Sequence, residues 1–228
     1  MSLPARMVVA IDGPAASGKS STAQWVAERL GYLHIDSGSL YRALTAAALR
    51  GNAPPEDWSP ERLLRDAPRV TLGAEKHAFH ALIDGQRVEE EIRGGDVTAN
   101  VSLVAKMQAV RSWVNASVRE AARWHDVVVD GRDIGTVVFP DAPLKVFLVA
   151  DPWERARRRL VQRLGRRPTD DEVAAETDVL VRRDAKDAMQ TLQAADAVLL
   201  DTTYLTQEEQ VERIVALAHA VSHRASST

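Results

Sequence analysis

The sequence contains no cysteine. That removes disulfides, thiolate zinc sites and a cysteine nucleophile, and it is compatible with a reducing cytosol. No apolar run approaches the length an α-helix needs to span a bilayer, and no internal repeat is visible. Charge of neither sign dominates. With 29 Lys and Arg against 32 Asp and Glu, the formal net charge is −3, so nothing global draws the chain to nucleic acid or to a membrane surface. Met1 to Arg6 is too short and too polar for a signal peptide. Ser222 to Thr228 reads as a frayed tail. What is there is a chain of 228 residues, 45% hydrophobic, which suits one compact α/β domain with a small insertion.

The most informative segment is Gly13-Pro14-Ala15-Ala16-Ser17-Gly18-Lys19-Ser20. It matches the phosphate-binding pattern G-x-x-x-x-G-K-[ST]. The apolar run Met7 to Ile11 precedes it and a helical pattern from Ser21 to Leu30 follows it, which is the strand–loop–helix setting the motif needs. Loop N–H groups and the helix N-terminus then face a polyphosphate. Gly13 to Ser21 form the expected nucleotide cradle. Lys19 reaches the β- and γ-phosphates, and the Ser20 hydroxyl ligates Mg²⁺.

Along the chain, Gly31 caps the first helix. Tyr32 to Ile35 is a short strand ending at Asp36, and Leu40 to Arg50 is a second helix stopped by Gly51. Asn52 to Pro60 is a Pro-rich connector. Val70 to Leu72, His77 to Ile83 and Gln86 to Glu89 read as short strands around an Asp84-Gly85 turn, a small β insertion standing apart from the main sheet. Val97 to Trp124 is helical in pattern and long. Val127 to Val129 and Leu144 to Val149 are unalternating apolar strands that suit a parallel sheet buried on both faces. Asp151-Pro152-Trp153-Glu154 opens a helix, as do Thr169 with Glu172 and Thr206 with Glu209. Ala197 to Leu200 is the last strand. The expected fold is α/β, a three-layer αβα arrangement around a parallel sheet. Its core is residues 1–60 and 96–228, with an insertion at 61–95 and an Arg-rich lid at about 153–170.

Phosphate loops serve switches, motors and kinases. The guanine-reading N-K-x-D motif is missing, and the chain is short for a motor. Arg155, Arg157, Arg158, Arg159, Arg163, Arg166 and Arg167 crowd one segment from which Lys is absent. One reading is a solvated helix face. The other is a mobile lid whose planar guanidinium forks hold phosphate oxygens during phosphoryl transfer. His34, His77, His80, His125, His219 and His223 are scattered and pair with no nucleophile. An acceptor that is itself a phosphate needs no base, because it is already ionised near neutral pH.

Asp36-Ser37-Gly38-Ser39-Leu40-Tyr41-Arg42 and Asp130-Gly131-Arg132-Asp133-Ile134-Gly135-Thr136-Val137-Val138-Phe139-Pro140, together with the loop, resemble the bacterial cytidylate kinase family. The resemblance runs from about Val8 to about Ala220. It implies ATP-dependent phosphorylation of CMP and dCMP, with Mg²⁺, by a cytoplasmic monomer that needs neither nucleic acid nor membrane. It implies that the insertion closes over the monophosphate. It assigns Arg42, Arg132 and Arg183 to the CMP phosphate and Ser37 to the same nucleotide, with Asp36 and Tyr41 beside them. Ser102, Arg111 and Asp133 become readers of cytosine and Asp187 a ribose ligand. The expected catalytic set is Lys19, Arg132, Arg183 and, from the lid, Arg158. The chemistry agrees, since cytosine N4 is a donor that Asp133 can accept, whereas uracil presents an acceptor there. Arg183 and Asp187 are i, i+4 and share a helix face. Ser102 and Arg111 are nine apart and share a site only if their helix breaks, although no Pro lies between them. The family motif R-D-x-x-D-x-x-R ends here in Gln190, which keeps hydrogen bonding but loses charge. Alternatives are a kinase of UMP or of a small acid such as shikimate, or a nucleotide-binding regulatory module without turnover.

Overall fold

The computed structural model of the chain describes residues 6–51 and 53–226. The expectations for the stretch before Arg6, for Asn52 and for the last two residues lie outside it. The elements are β1 (Val8–Asp12), α1 (Lys19–Leu30), β2 (Leu33–Asp36), α2 (Ser37–Leu49), α3 (Pro60–Asp66), β3 (Val70–Glu75), β4 (Ala78–Ile83), β5 (Gln86–Arg87) and α4 (Glu89–Ile92). They continue with α5 (Gly95–Val104), α6 (Gln108–Ala122), β6 (Val127–Asp130), β7 (Leu144–Val149), α7 (Pro152–Leu164), α8 (Asp170–Asp187), β8 (Val198–Asp201) and α9 (Gln207–Ser226). This is the α/β class expected. No helix among the described residues is long and apolar enough to cross a membrane. The chain divides into two compact units, one holding Gly31–Val127 and the other Met7–Leu30 with the chain from Val128 onward.

In the unit of the phosphate loop the strand order is β6-β1-β7-β8. β1 pairs with β7, and β7 with β8, in parallel. Val9, Ala10, Ile11, Val128, Val129 and Leu148 are wholly buried, as unalternating apolar strands require. α1 packs on α9, and α9 on β7. α9 buries Val211, Ile214 and Ala218 on one stripe, and it runs on to Ser226 where a frayed tail was expected from Ser222. α7 and α8 pack as a hairpin. Asp151 caps α7 by accepting from Trp153 and Glu154 N–H. Gly165 ends it at φ +66°, and the reciprocal Thr169–Glu172 capping box opens α8, as the sequence led one to expect.

In the other unit, β3 and β4 form an antiparallel hairpin with β5 on the far edge of β4. Asp84 and Gly85 turn at φ +52° and +76°, the left-handed pair such a tight turn needs. The hairpin does not stand apart, because β4 pairs in parallel with β2 at His34 and Ala78. The reason is apolar cover. Val70, Ala81 and Ile83 are buried, and α2 packs on both β3 and β4. The long helical pattern is two helices, broken at Ala105-Lys106-Met107. α2 begins at Ser37 instead of Leu40, with Asp36 extended at the N-cap position and Ser39 Oγ donating to the Asp36 carbonyl at 2.6 Å.

Candidate active site

β1 delivers the chain to Gly13, where φ is +149°. A Cβ there would lie 2.2 Å from the Leu148 carbonyl oxygen, so only glycine fits. Gly18 turns at φ +89°, and α1 starts at the next residue. Its N-terminal N–H groups, which have no acceptor within the helix, carry the positive end of the helix dipole to the loop. Ala16 sits at φ +59°, a left-handed conformation that costs a residue with a Cβ roughly 1–2 kcal/mol. Lys19 Nζ donates to the Pro14 carbonyl at 2.7 Å. Ser20 Oγ donates to Asp130 Oδ2 at 2.7 Å, and Ser21 Oγ to the Gly18 carbonyl at 2.9 Å. Ser17 Oγ is buried without a hydrogen-bond partner.

Asp12 ends β1 and joins the loop to the segment after β6. Its carboxylate accepts from Ile134 N–H at 2.8 Å and Gly135 N–H at 2.7 Å. Those residues open one turn of π-helix, Ile134–Val138, in which Phe139 N–H donates to the Ile134 carbonyl. π-turns of this kind are frequent at functional sites. This one leaves Arg132 and Asp133 at its head, with Asp133 8% exposed. Burial pushes the Asp12 carboxyl from 3.8 up to about 6, against the two N–H groups and the Lys19 charge, and with the Asp133 charge adding to the rise. The fold therefore binds this proton more tightly than the unfolded chain does. Stability drawn from Asp12 is greatest below about pH 4 and falls as pH rises toward 6, by ~3 kcal/mol at 1.4 kcal/mol per unit. Unfolding free energies of the protein and of Asp12→Asn, taken from pH 4 to 7, should differ by an amount that declines over that window. A pH-independent difference would place the carboxyl at its ordinary value.

Asp187, at the end of α8, is 6% exposed. Its Oδ2 lies 2.6 Å from Arg132 Nη1 and 3.6 Å from Arg183 Nε. Burial, and then the Arg132 charge, hold the Arg183 guanidinium below its usual pKa. Two expected substrate arginines thus meet around the carboxylate of a third expected substrate residue. One turn earlier, Asp184 pairs with the buried Arg155 at 2.7 Å.

Most arginines of the expected lid are engaged within this unit. Arg157 pairs with Glu154, Arg159 and Arg163 with the buried Glu176, and Arg166 with Glu172. Arg158 Nη2 donates to the carbonyls of Thr202 and Thr203 at 2.5 and 2.9 Å. The structure thus brings the expected catalytic Arg158 to the β8–α9 connection.

In the other unit, Ser37 and Tyr41 are buried on α2. Asp36 is 3.4 Å from Arg93. Arg42 donates to the Ile92 carbonyl at 3.1 Å and to Thr98 Oγ1 at 3.2 Å. Ser102 is half-buried on α5, and Arg111 on α6 donates to the Ala105 carbonyl at 3.2 Å. That guanidinium satisfies a helix-end carbonyl of α5 and supports the break, which removes the obstacle to Ser102 and Arg111 acting together.

Sequence reasoning missed Asp12, Asp130 and Arg155. The signal for Asp130 was present, as an acid closing an apolar strand beside the phosphate loop. With Ser20 it offers Mg²⁺ two hard oxygen donors. Among the described residues no three metal-ligating side chains cluster. Mg²⁺ bound with a nucleotide needs no such cage, since phosphates and waters complete its shell, and the residues present fit it.

The parallel sheet, the glycine-gated loop with its lysine, and arginines gathered around a carboxylate define a phosphate-loop phosphotransferase acting on small molecules. The family model described as cytidylate kinase matches residues 9–220. Cytidylate kinase of Geobacillus kaustophilus is 45% identical over 220 residues, 94% of this chain and 97% of that one. Cytidylate kinase of Chlorobaculum tepidum is 40% identical over 228 residues, 96% of each chain. The crystal structure of an uncharacterized protein from Eubacterium ventriosum shares the fold at a TM-score of 0.50 and 12% identity, covering 94% of this chain and 99% of that chain. The chain belongs to the cytidylate kinase family. It is a (d)CMP kinase, moving a phosphoryl group from ATP to CMP or dCMP.

Proposed function

We propose that Gly13 to Ser21 hold the phosphates of ATP and that Arg132, Arg183 and Arg42 hold the phosphate of CMP. The observation that carries the reading is the Arg132–Asp187–Arg183 cluster, found in the same unit as the loop. An oxygen of the CMP phosphate attacks the γ-phosphorus, and the bond from that phosphorus to the β–γ bridging oxygen breaks, leaving ADP. The attacking group is already an anion, so no base is required. Lys19 and the arginines neutralise charge on the transferring group. Mg²⁺, held with ATP through Ser20 and Asp130, would supply further neutralisation of the phosphates.

Asp133, Ser102 and Arg111 read the base, Asp187 the ribose, and Asp36, Ser37 and Tyr41 complete the monophosphate site. Segment 61–95 serves the monophosphate nucleotide and residues 153–170 form the lid. Arg158 must exchange the carbonyls of Thr202 and Thr203 for a phosphoryl oxygen if it acts at the transition state. We read the enzyme as a cytoplasmic monomer.

ADP formation against CMP, dCMP, UMP and shikimate tests the assignment. Asp133→Ala should cost CMP turnover roughly 1–3 kcal/mol, the scale of one good base contact, and UMP much less. Gln190→Arg should raise kcat/KM for CMP by restoring a charged donor. Equal losses for CMP and UMP in Asp133→Ala would mean that the residue supports the π-turn without reading the base. A neutral or harmful Gln190→Arg would mean that the pocket has compensated for the missing charge.

A further inference from the structure

Arg155 opens the Arg-rich segment, yet among the described residues it is the only buried arginine, 4% exposed. Its three guanidinium nitrogens take three different partners. Nε donates to the Ala150 carbonyl at 3.1 Å and Nη1 to the Ala15 carbonyl at 2.9 Å, while Nη2 lies 2.7 Å from Asp184 Oδ2. Ala150 opens the connection from β7 to α7, Ala15 lies in the phosphate loop, and Asp184 lies on α8. A planar guanidinium spreads five donors over three nitrogens and so reaches all three partners, whereas the three donors of an ammonium diverge from one atom.

The contact with Ala15 falls beside the loop's strained residue. Ala16 has φ +59°, and such a conformation persists only where the surroundings over-determine it. The Ala15–Ala16 peptide is planar and trans. Fixing the Ala15 carbonyl therefore fixes the Ala16 N–H in the opposite direction. Ala15 also packs with Ala156, Leu160, Val173 and Leu180, with Ala16 against that cluster, so the loop rests on the α7–α8 hairpin.

We propose that Arg155, steadied by Asp184, is a positioning residue of the phosphate loop. It holds the Ala15 carbonyl so that the Ala16 amide stays oriented for a donor phosphate. The same pair ties the loop to α8, the helix that carries Arg183 and Asp187. The proposal rests on the reading of the loop as the ATP site.

Steady-state kinetics with ATP and CMP varied separately provide the test, on the full chain and on Arg155→Lys, Asp184→Asn, Ala16→Gly and the Arg155→Lys, Ala16→Gly double variant. Arg155→Lys is expected to raise KM for ATP about tenfold or more while KM for CMP stays within about twofold, the split that marks lost donor binding. Asp184→Asn should raise KM for ATP about threefold, because the fork keeps its carbonyls but loses its charged anchor. With Gly at position 16 the conformation no longer needs holding, and Arg155→Lys should then raise KM for ATP less than about threefold. A role confined to packing α7 on α8 would not couple to position 16. Equal rises in the two backgrounds, or parallel rises in both KM values, overturn the proposal. If Arg155→Lys does not fold, Asp184→Asn decides, and an unchanged KM for ATP overturns it. Saturation of the unsubstituted enzyme by ATP in the same assay tests the loop's assignment by itself, so the two readings fail separately.

Discussion

Lys19→Ala is expected to lower kcat about 100- to 1,000-fold, a loss of ~2.7–4 kcal/mol of transition-state stabilisation of the size seen when a preorganised donor is removed. The geometry supports an effect on activity that outweighs the effect on folding. Lys19 is the first residue of α1, and its ammonium donates to the Pro14 carbonyl at 2.7 Å. It is therefore held inside the loop before any nucleotide arrives. The hydrogen bond from the charged ammonium to Pro14 is worth ~1.5–3 kcal/mol to the fold, so circular dichroism should show a folded protein and a thermal melt a lowered midpoint. A second readout follows from Asp12. The Lys19 charge is among the influences that lower the Asp12 pKa, so its removal should move that carboxyl further up, as an NMR titration of Asp12 would record. Wild-type kcat in a folded Lys19→Ala would refute the catalytic role.

Asp187→Asn should be the most destabilising conservative change in the site. The carboxylate is 8% exposed and faces two guanidiniums whose side chains are 25% and 23% exposed. Breaking a buried pair from one side costs about 3–5 kcal/mol. Residual hydration of both arginines brings the expectation down to about 2–3 kcal/mol, or a melting point lowered by about 4–12 °C for a chain of this size. The same variant exposes what the arginines are for. Without their internal counter-ion they should attract an external one, so inorganic phosphate should raise the melting point of Asp187→Asn more than that of the unsubstituted protein. On the proposed role of Asp187 as a ribose ligand, KM for CMP should rise about 10-fold or more. Equal phosphate effects in the two proteins would show that the arginines do not form an anion site.

The phosphate loop was legible because its motif carries its own setting. An apolar strand, two glycines with demanding backbone angles and a following helix are local properties, and the structure places Gly13 and Gly18 at φ +149° and +89°. The capping boxes and the Asp84-Gly85 turn were legible for the same reason. The break after α5 was not, because no Pro or Gly produces it. It is supported by a guanidinium from the next helix, Arg111 on Ala105, and such a contact leaves no local signature. The Arg-rich segment was visible as charge, while its partners were not. Glu176, Glu172 and Asp184 lie on α8, and only the hairpin shows that most of these arginines are already paired. Nor did the sequence show that Arg158, expected at the transferring phosphoryl group, clasps the carbonyls of Thr202 and Thr203. Nothing in the sequence marks Asp12, because the amides that close over it, those of Ile134 and Gly135, lie far along the chain.

The missing side chain at Gly13 has a consequence for anyone who would rebuild this protein. The carbonyl of Leu148 occupies the place where a Cβ would stand, so strand β7 acts as the template against which the loop is moulded. A loop transplanted to another scaffold would have to bring that neighbouring strand, in the same register, or lose its shape. In directed evolution, insertions in β7 should therefore be purged as strictly as changes in the loop itself, although β7 contributes none of the residues assigned to either nucleotide.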